Sequence, residues 1–233
     1  MARPRKIVAI GGGFGFSPPG SGLDAYILEL SGRDRPNVLF LPTPQGDADT
    51  NIVGFYERFA TRAEASHLKL FGAPDEAMWR PRLLAQDVIL VSGGNTANAL
   101  AVWRAHGVDR ALREAWEGGT VMGGASAGMI CWFGCSVTDS FGPRLAPLRD
   151  GLGFLPGSAC PHYDSEALRR PLYRELVAQG LPGGYAADDG VGLYFEGTGL
   201  QEAVTEVDGR AAYRVEMVDG AVRETKIPAR LLP

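Results

Sequence analysis

The residue pattern of this chain predicts an α/β fold: a mostly parallel sheet with helices on both faces. Three observations carry the prediction. Short β-branched apolar runs recur through the first half, each stops at or next to glycine or proline, and helical patterns separate them.

A parallel strand covered on both faces reads as a continuous apolar run. Residues 7–10 end in Gly11-Gly12-Gly13, 38–41 in Pro42, 88–91 run up to Gly93-Gly94, and 120–122 end in Gly123-Gly124. Between them, residues 50–62 place Ile52, Val53, Tyr56 and Phe59 on one helical face. Residues 96–105 do the same with Ala99, Leu100, Val102 and Trp103, and Gly107 follows as a stop. The last third changes character. Residues 191–195, 203–207 and 211–217 read as strands, and Asp208-Gly209 predicts a hairpin between the last two. Antiparallel strands are therefore expected to close one edge of the sheet.

With 233 residues, 45% hydrophobic and 21% charged, the chain can bury one sizeable core. No linker-like tract or internal repeat appears, so a single domain over residues 1–233 is expected. The net charge of −4 and the lack of a basic stripe interleaved with aromatics argue against a nucleic-acid partner. Cys131, Cys135 and Cys160 are too few for a disulfide framework or a zinc site; buried reduced thiols and no metal are expected. The apolar run behind the charged N-terminus is too short for a signal peptide, and no stretch suits a membrane span. A cytoplasmic location is expected. Self-association into a homodimer stays open.

Two glycine clusters need separate readings. Gly11-Gly12-Gly13-Phe14-Gly15 follows a strand, yet no G-x-G-x-x-G frame fits it, and Pro18-Pro19 would spoil the helix that should receive a pyrophosphate. No organic cofactor is implied. Residues 120–130 contain Gly124-Ala125-Ser126-Ala127-Gly128, a G-x-S-x-G nucleophile elbow placed directly after a strand and before an apolar run. The turn from strand to helix is so sharp that side chains two residues either side of the serine would collide. The alternative reading is a glycine-rich packing turn. The Ala127 N–H would lie at the start of the following helix, ready to receive an oxyanion.

A nucleophilic serine needs a base, and the chain has three histidines. His67 reads as strand interior and His106 as the end of a helix. His162, in the loop Cys160-Pro161-His162-Tyr163-Asp164, is the one after the elbow and the candidate base. Asp139 lies between serine and histidine, the order expected of elbow hydrolases. Asp164 and Glu166 are rivals for the part that orients the imidazole. The turn Gly93-Gly94-Asn95-Thr96 offers N–H groups at a helix start as second oxyanion donors. Asn95 is either a substrate contact or the helix N-cap.

Taken together, Gly93-Gly94-Asn95-Thr96, the elbow at Gly124 to Gly128 and Pro161-His162 resemble the peptidase E family of serine peptidases, over roughly residues 5–200. That family includes aspartyl dipeptidases and the related cyanophycinases. The resemblance implies a three-layer α/β sandwich like that of class I glutamine amidotransferases, flavodoxin-like in outline. It implies Ser126 as nucleophile, His162 as base, Asp139 as the acid, and Gly93, Gly94 and Ala127 at the oxyanion hole. It also implies an arginine, Arg169 with Arg170 beside it, that holds a substrate aspartate. The expected reaction is hydrolysis of a small peptide with an N-terminal Asp through an acyl-enzyme. A cyanophycinase-like exopeptidase acting on β-aspartyl or branched peptides and a catalytically silent binding protein are the alternatives. A lipase-like esterase is disfavoured because no lid-like apolar insertion is present.

Overall fold

The computed structural model describes residues 4–13, 18–19 and 22–233, so Phe14-Gly15 of the first glycine cluster lies outside it. The first half runs β1 (Lys6–Ile10), α1 (Gly22–Leu30), β2 (Asn37–Leu41), α2 (Asp49–Phe59), β3 (Glu64–His67), α3 (Glu76–Leu84), β4 (Val88–Val91), α4 (Thr96–His106), α5 (Val108–Glu117), β5 (Val121–Ala125) and a short α6 (Ala127–Ile130). The second half runs β6 (Phe133–Thr138), β7 (Ala146–Leu148), β8 (Leu155–Cys160), α7 (Arg169–Ala178), β9 (Gly184–Ala187), β10 (Val191–Glu196), β11 (Gly199–Thr205), β12 (Ala211–Val218), β13 (Ala221–Pro228) and β14 (Arg230–Leu231).

Among the described residues the strands form two sheets. The larger has eight strands in the order β14-β11-β10-β1-β5-β4-β2-β3. From β1 to β3 it is parallel, and β10 and β11 add to the β1 edge antiparallel. The apolar runs are continuous because both faces of these strands are buried. Along β1, Ile7 and Ala9 enter one core while Val8 and Ile10 enter the other, the period of two that a pleat imposes. The second core holds Leu23 and Ile27 of α1 with Ile52, Phe55 and Phe59 of α2. The first holds Trp103 of α4 and Trp116 of α5, and also Phe133, Leu155, Ala187 and Ala212 of the smaller sheet. That sheet has six strands, β13-β12-β9-β8-β6-β7, parallel from β9 to β6. Tyr173, Leu176 and Val177 of α7 pack on it.

Helix ends follow the local chemistry. Gly107 closes α4 at φ 72°, in the left-handed region glycine occupies without penalty. Along α2, Val53 is 54% exposed and Phe55 takes the buried place instead. A helix does not continue to Cys135, so Cys131 and Cys135 share no helical face; all three cysteines are free. Burial pushes the Cys131 and Cys160 thiols up, which keeps both protonated. Among the described residues, no helix is long and apolar enough to cross a membrane.

The predicted hairpin at Asp208-Gly209 does not form. β11 stays in the larger sheet and β12 pairs with β9 and β13 in the smaller one, so this turn carries the chain from one sheet to the other. The hairpin lies one turn later, between β12 and β13, at Asp219-Gly220. Both of its residues have positive φ, 51° and 79°, as a type I′ turn requires.

Candidate active site

Strand β5 ends at the elbow. Ser126 sits at φ 58°, ψ −109°, a conformation that costs a residue with a side chain about 1–3 kcal/mol. It is over-determined by its surroundings: the Ser126 N–H donates to the Ile10 carbonyl at 3.0 Å, and its carbonyl accepts from Met129 and Ile130 in α6. The flanking glycines answer to one neighbour. A Cβ on Gly124 or on Gly128 would lie 2.3 Å from the Val91 carbonyl oxygen at the end of β4. Only glycine lets β4 and the elbow approach this closely.

His162 follows β8 on the other sheet, also at positive φ, 52°. Its N–H donates to the Gly11 carbonyl at 3.0 Å, which ties the loop to the end of β1. The ring bridges two partners. Nε2 lies 2.9 Å from Ser126 Oγ, and Nδ1 lies 2.7 Å from Asp189 Oδ1. With the carboxylate fixing the proton on Nδ1, Nε2 is left as the acceptor toward the serine hydroxyl.

The carboxylate that meets His162 is therefore that of Asp189, between β9 and β10, and not that of Asp139. Asp139 is exposed, and its carbonyl accepts from the Gly142 N–H in a local turn. The two rivals are placed elsewhere as well. Asp164 accepts the backbone N–H of Asp189 at 2.9 Å and pairs with Arg210 at 3.3 Å; Arg210 in turn donates to the Asp189 carbonyl at 2.6 Å. The pair thus clamps the backbone of Asp189. Glu166 pairs with Arg169. The preceding Asp188 is buried, accepts from the Ala211 N–H at the start of β12, and has its carboxyl pushed up by that burial.

The first glycine cluster acquires its reason here. A Cβ on Gly12 would lie 2.1 Å from Asp189 Oδ1 and 2.3 Å from the His162 ring, and one on Gly11 would strike the Asp188 carbonyl at 2.4 Å. Gly11 and Gly12 are the seat on which the His–Asp pair rests.

Gly93 lines the site, with a Cβ position 3.6 Å from Ser126 Cβ, while a Cβ on Gly94 would meet the Pro44 carbonyl at 2.3 Å. Ala127 opens α6, where the first N–H groups have no partner within the helix. Asn95 serves as the N-cap: its side chain accepts from the Asn98 N–H at 2.9 Å and donates to the Ser140 carbonyl at 2.9 Å. It does not line the cleft at Ser126. Neither do the two arginines. Arg169 is 2% exposed and donates to the Val137 carbonyl at 3.0 Å and to Glu166 at 2.7 Å, a structural role. Arg170 pairs with Glu224 and lies over the rings of Tyr163 and Tyr213. Their place at the start of α7 fits the expectation; the direction of their side chains does not.

The cleft in front of Ser126 and His162 has a volume of about 550 Å³ and reaches from the elbow to α2. The histidines read as structural are so placed: His67 Nδ1 lies 2.9 Å from Tyr56 Oη, and His106 ends α4. No group of three or more His, Cys, Asp or Glu side chains able to hold a metal occurs among the described residues.

A serine, a histidine and an aspartate in hydrogen-bonded series at the end of a parallel sheet define the hydrolase class that works through an activated serine. Within that class the chain belongs to peptidase family S51, whose model matches residues 7–203. It is 46% identical over 231 residues, 98% of this chain and 99% of the relative, to a Bacillus subtilis (strain 168) protein named as an uncharacterized peptidase, YgaJ. The fold matches the crystal structure of a peptidase from an acI-B1 Actinobacterium with a TM-score of 0.72 at 14% identity, covering 100% of this chain and 97% of that one. It also matches a putative peptidase E protein from Listeria monocytogenes EGD-e with a TM-score of 0.65 at 15% identity, covering 87% and 98%.

Proposed function

We propose that this peptidase hydrolyses short peptides through an acyl-enzyme on Ser126. The observation that carries the reading is the unbroken series Asp189 Oδ1, His162 Nδ1, His162 Nε2 and Ser126 Oγ, with contacts of 2.7 and 2.9 Å. His162 takes the hydroxyl proton as Ser126 Oγ attacks the scissile carbonyl, then returns it to the departing amine. Asp189 holds the ring tautomer and offsets the positive charge that forms on it. Ala127 and the Gly93-Gly94 turn supply N–H groups to the oxyanion. Water, deprotonated by the same histidine, then releases the acyl group. A site of this volume suits a small ligand rather than an extended stretch of protein, which supports an exopeptidase or dipeptidase.

The preference for an N-terminal aspartate that the resemblance implies loses its carrier, because Arg169 and Arg170 are engaged away from the cleft. The reading therefore rests on the reaction and leaves the first residue to the cleft itself. Ser126→Ala is the test. The variant should keep the wild-type circular dichroism and melting temperature while losing peptide hydrolysis and fluorophosphonate labelling together. Wild-type turnover in a clean Ser126→Ala preparation would remove the nucleophile assignment.

A further inference from the structure

We infer that Arg58 of α2 receives a carboxylate of the substrate in the cleft beside Ser126, an assignment that rests on Ser126 being the nucleophile. Among the described lining residues one carries a permanent charge, and it is this arginine. Gln45, Thr50, Asn51 and Ser92 add neutral polar groups, and no Asp or Glu is among the described residues that join them. Ser92 is 7% exposed, and its Oγ has no hydrogen-bond partner among the described residues. A buried hydroxyl in that state is completed by a polar ligand. Phe40, Phe55 and Phe59 also reach the cleft, but they are core residues, 9%, 5% and 2% exposed, and offer a substrate little surface. Their part is to back the wall with a medium that screens charge poorly.

The period of α2 sets the receptor out. Asn51, Gly54, Phe55 and Arg58 recur at the spacing of one helical face, and all four line the cleft. Gly54 is exposed and has nothing within 4 Å of the position a Cβ would take, so no side chain fills the turn between Asn51 and Arg58. Arg58 itself is held. Its Nε meets Asp24 of α1, whose side chain is 1% exposed, while its own side chain is 16% exposed. A guanidinium carries five N–H donors in a rigid fork and can serve a buried carboxylate and a ligand at once. Asp24 fixes that fork in advance, so a carboxylate arriving over Gly54 meets a cation that need not reorganise. The first turn of α2, at Thr50 and Asn51, adds the positive end of the helix dipole to the same wall, where Ala48 supplies no side-chain cap.

A small peptide can bring this carboxylate from its acyl residue or from its C-terminus, and the experiment separates the two. It measures kcat/KM for Asp-Leu, for Asn-Leu, which lacks the first carboxylate, and for Asp-Leu amide, which lacks the second. In the wild type, one of the two analogues should fall about tenfold to a hundredfold below Asp-Leu, the range of a charged hydrogen-bonded contact. Which one falls identifies the carboxylate. Two variants then place it on Arg58. Gly54→Leu fills the open turn and leaves the ion pair with Asp24 in place. Arg58→Met combined with Asp24→Asn removes the cation without leaving a buried charge unpaired. In each variant that keeps a cooperative melting transition, the ratio of Asp-Leu to the discriminating analogue should fall by about tenfold. Equal kcat/KM on all three peptides in the wild type would overturn the assignment, as would an unchanged ratio in either folded variant. Fluorophosphonate labelling of the wild type separates this from the catalytic reading. A protein that takes the label on Ser126 but fails either test, or cleaves none of the three peptides, loses Arg58 as receptor and keeps its nucleophile. A wild type that takes no label and cleaves no peptide would overturn both.

Discussion

Asp189→Asn keeps the size and hydrogen-bonding reach of the side chain and removes its charge. In the native site Oδ1 accepts the Nδ1–H of His162 at 2.7 Å, which leaves Nε2 bare toward Ser126 Oγ at 2.9 Å. The amide of asparagine can donate to Nδ1 instead. The ring proton then resides on Nε2, and the serine hydroxyl faces a donor where it needs an acceptor. The backbone of residue 189 is held by Asp164 and Arg210 through its N–H and carbonyl, so the substituted side chain stays in place. A tautomer reversed in this way costs about 10⁴ in kcat, or about 5 kcal/mol at 1.36 kcal/mol per tenfold. KM should change little. Steady-state kinetics on a dipeptide give the loss in kcat, and the rate of fluorophosphonate labelling should fall in parallel, because labelling needs the same base. Asp139→Asn, made alongside, should stay within about twofold of wild type, the scatter expected for an exposed surface site. A loss of less than tenfold in Asp189→Asn, or an equal loss in Asp139→Asn, would refute the assignment of the acid.

Gly12→Ala adds one carbon where Asp189 Oδ1 would be 2.1 Å away, so it should cost on the order of a hundredfold in kcat while the melting temperature moves modestly. Wild-type activity would show that the His–Asp pair does not depend on this seat. Arg169→Met removes the hydrogen bonds to Val137 and Glu166 and should destabilise the fold by about 1–3 kcal/mol in a denaturant titration. The ratio of kcat/KM for Asp-Leu and Ala-Leu should not change; a tenfold shift of that ratio without loss of stability would restore Arg169 to the substrate.

The parallel strands were legible in the sequence because burial on both faces and a glycine stop are local properties of a few residues, as at 7–10 and 88–91. The elbow was legible for the same reason: close approach to the Val91 carbonyl demands glycine at fixed offsets from Ser126. What a local signal cannot report is the partner. Asp208-Gly209 and Asp219-Gly220 carry the same dipeptide, and only the second joins neighbouring strands. The carboxylate partner of His162 is hidden on similar grounds. Asp189 lies 27 residues beyond His162, and the order serine, aspartate, histidine directed attention to Asp139 instead. The usable sign was Asp188-Asp189-Gly190, an acidic pair at the end of a strand, facing a glycine pair that no nucleotide motif explained. Arg169 failed differently. Its position was right, but the side chain turns into the protein to meet the Val137 carbonyl, a contact across 32 residues.

The smaller sheet brings His162 to the serine, and the turn back into the larger sheet brings Asp189. Strand β10 then pairs directly with β1, and the carbonyls of Ile10 and of Gly11 just after it accept the backbone N–H groups of Ser126 and His162. Ser126 thus precedes both His162 and Asp189 in the chain. Ser126 meets His162 only where β8 packs in the smaller sheet, and His162 meets Asp189 only where β10 pairs with β1. Closing such a distant pairing is slow, because its loop entropy must be overcome before any contact rewards it. The placement of all three side chains therefore depends on a pairing between the first strand of the chain and the tenth, residues 6–10 with 192–196.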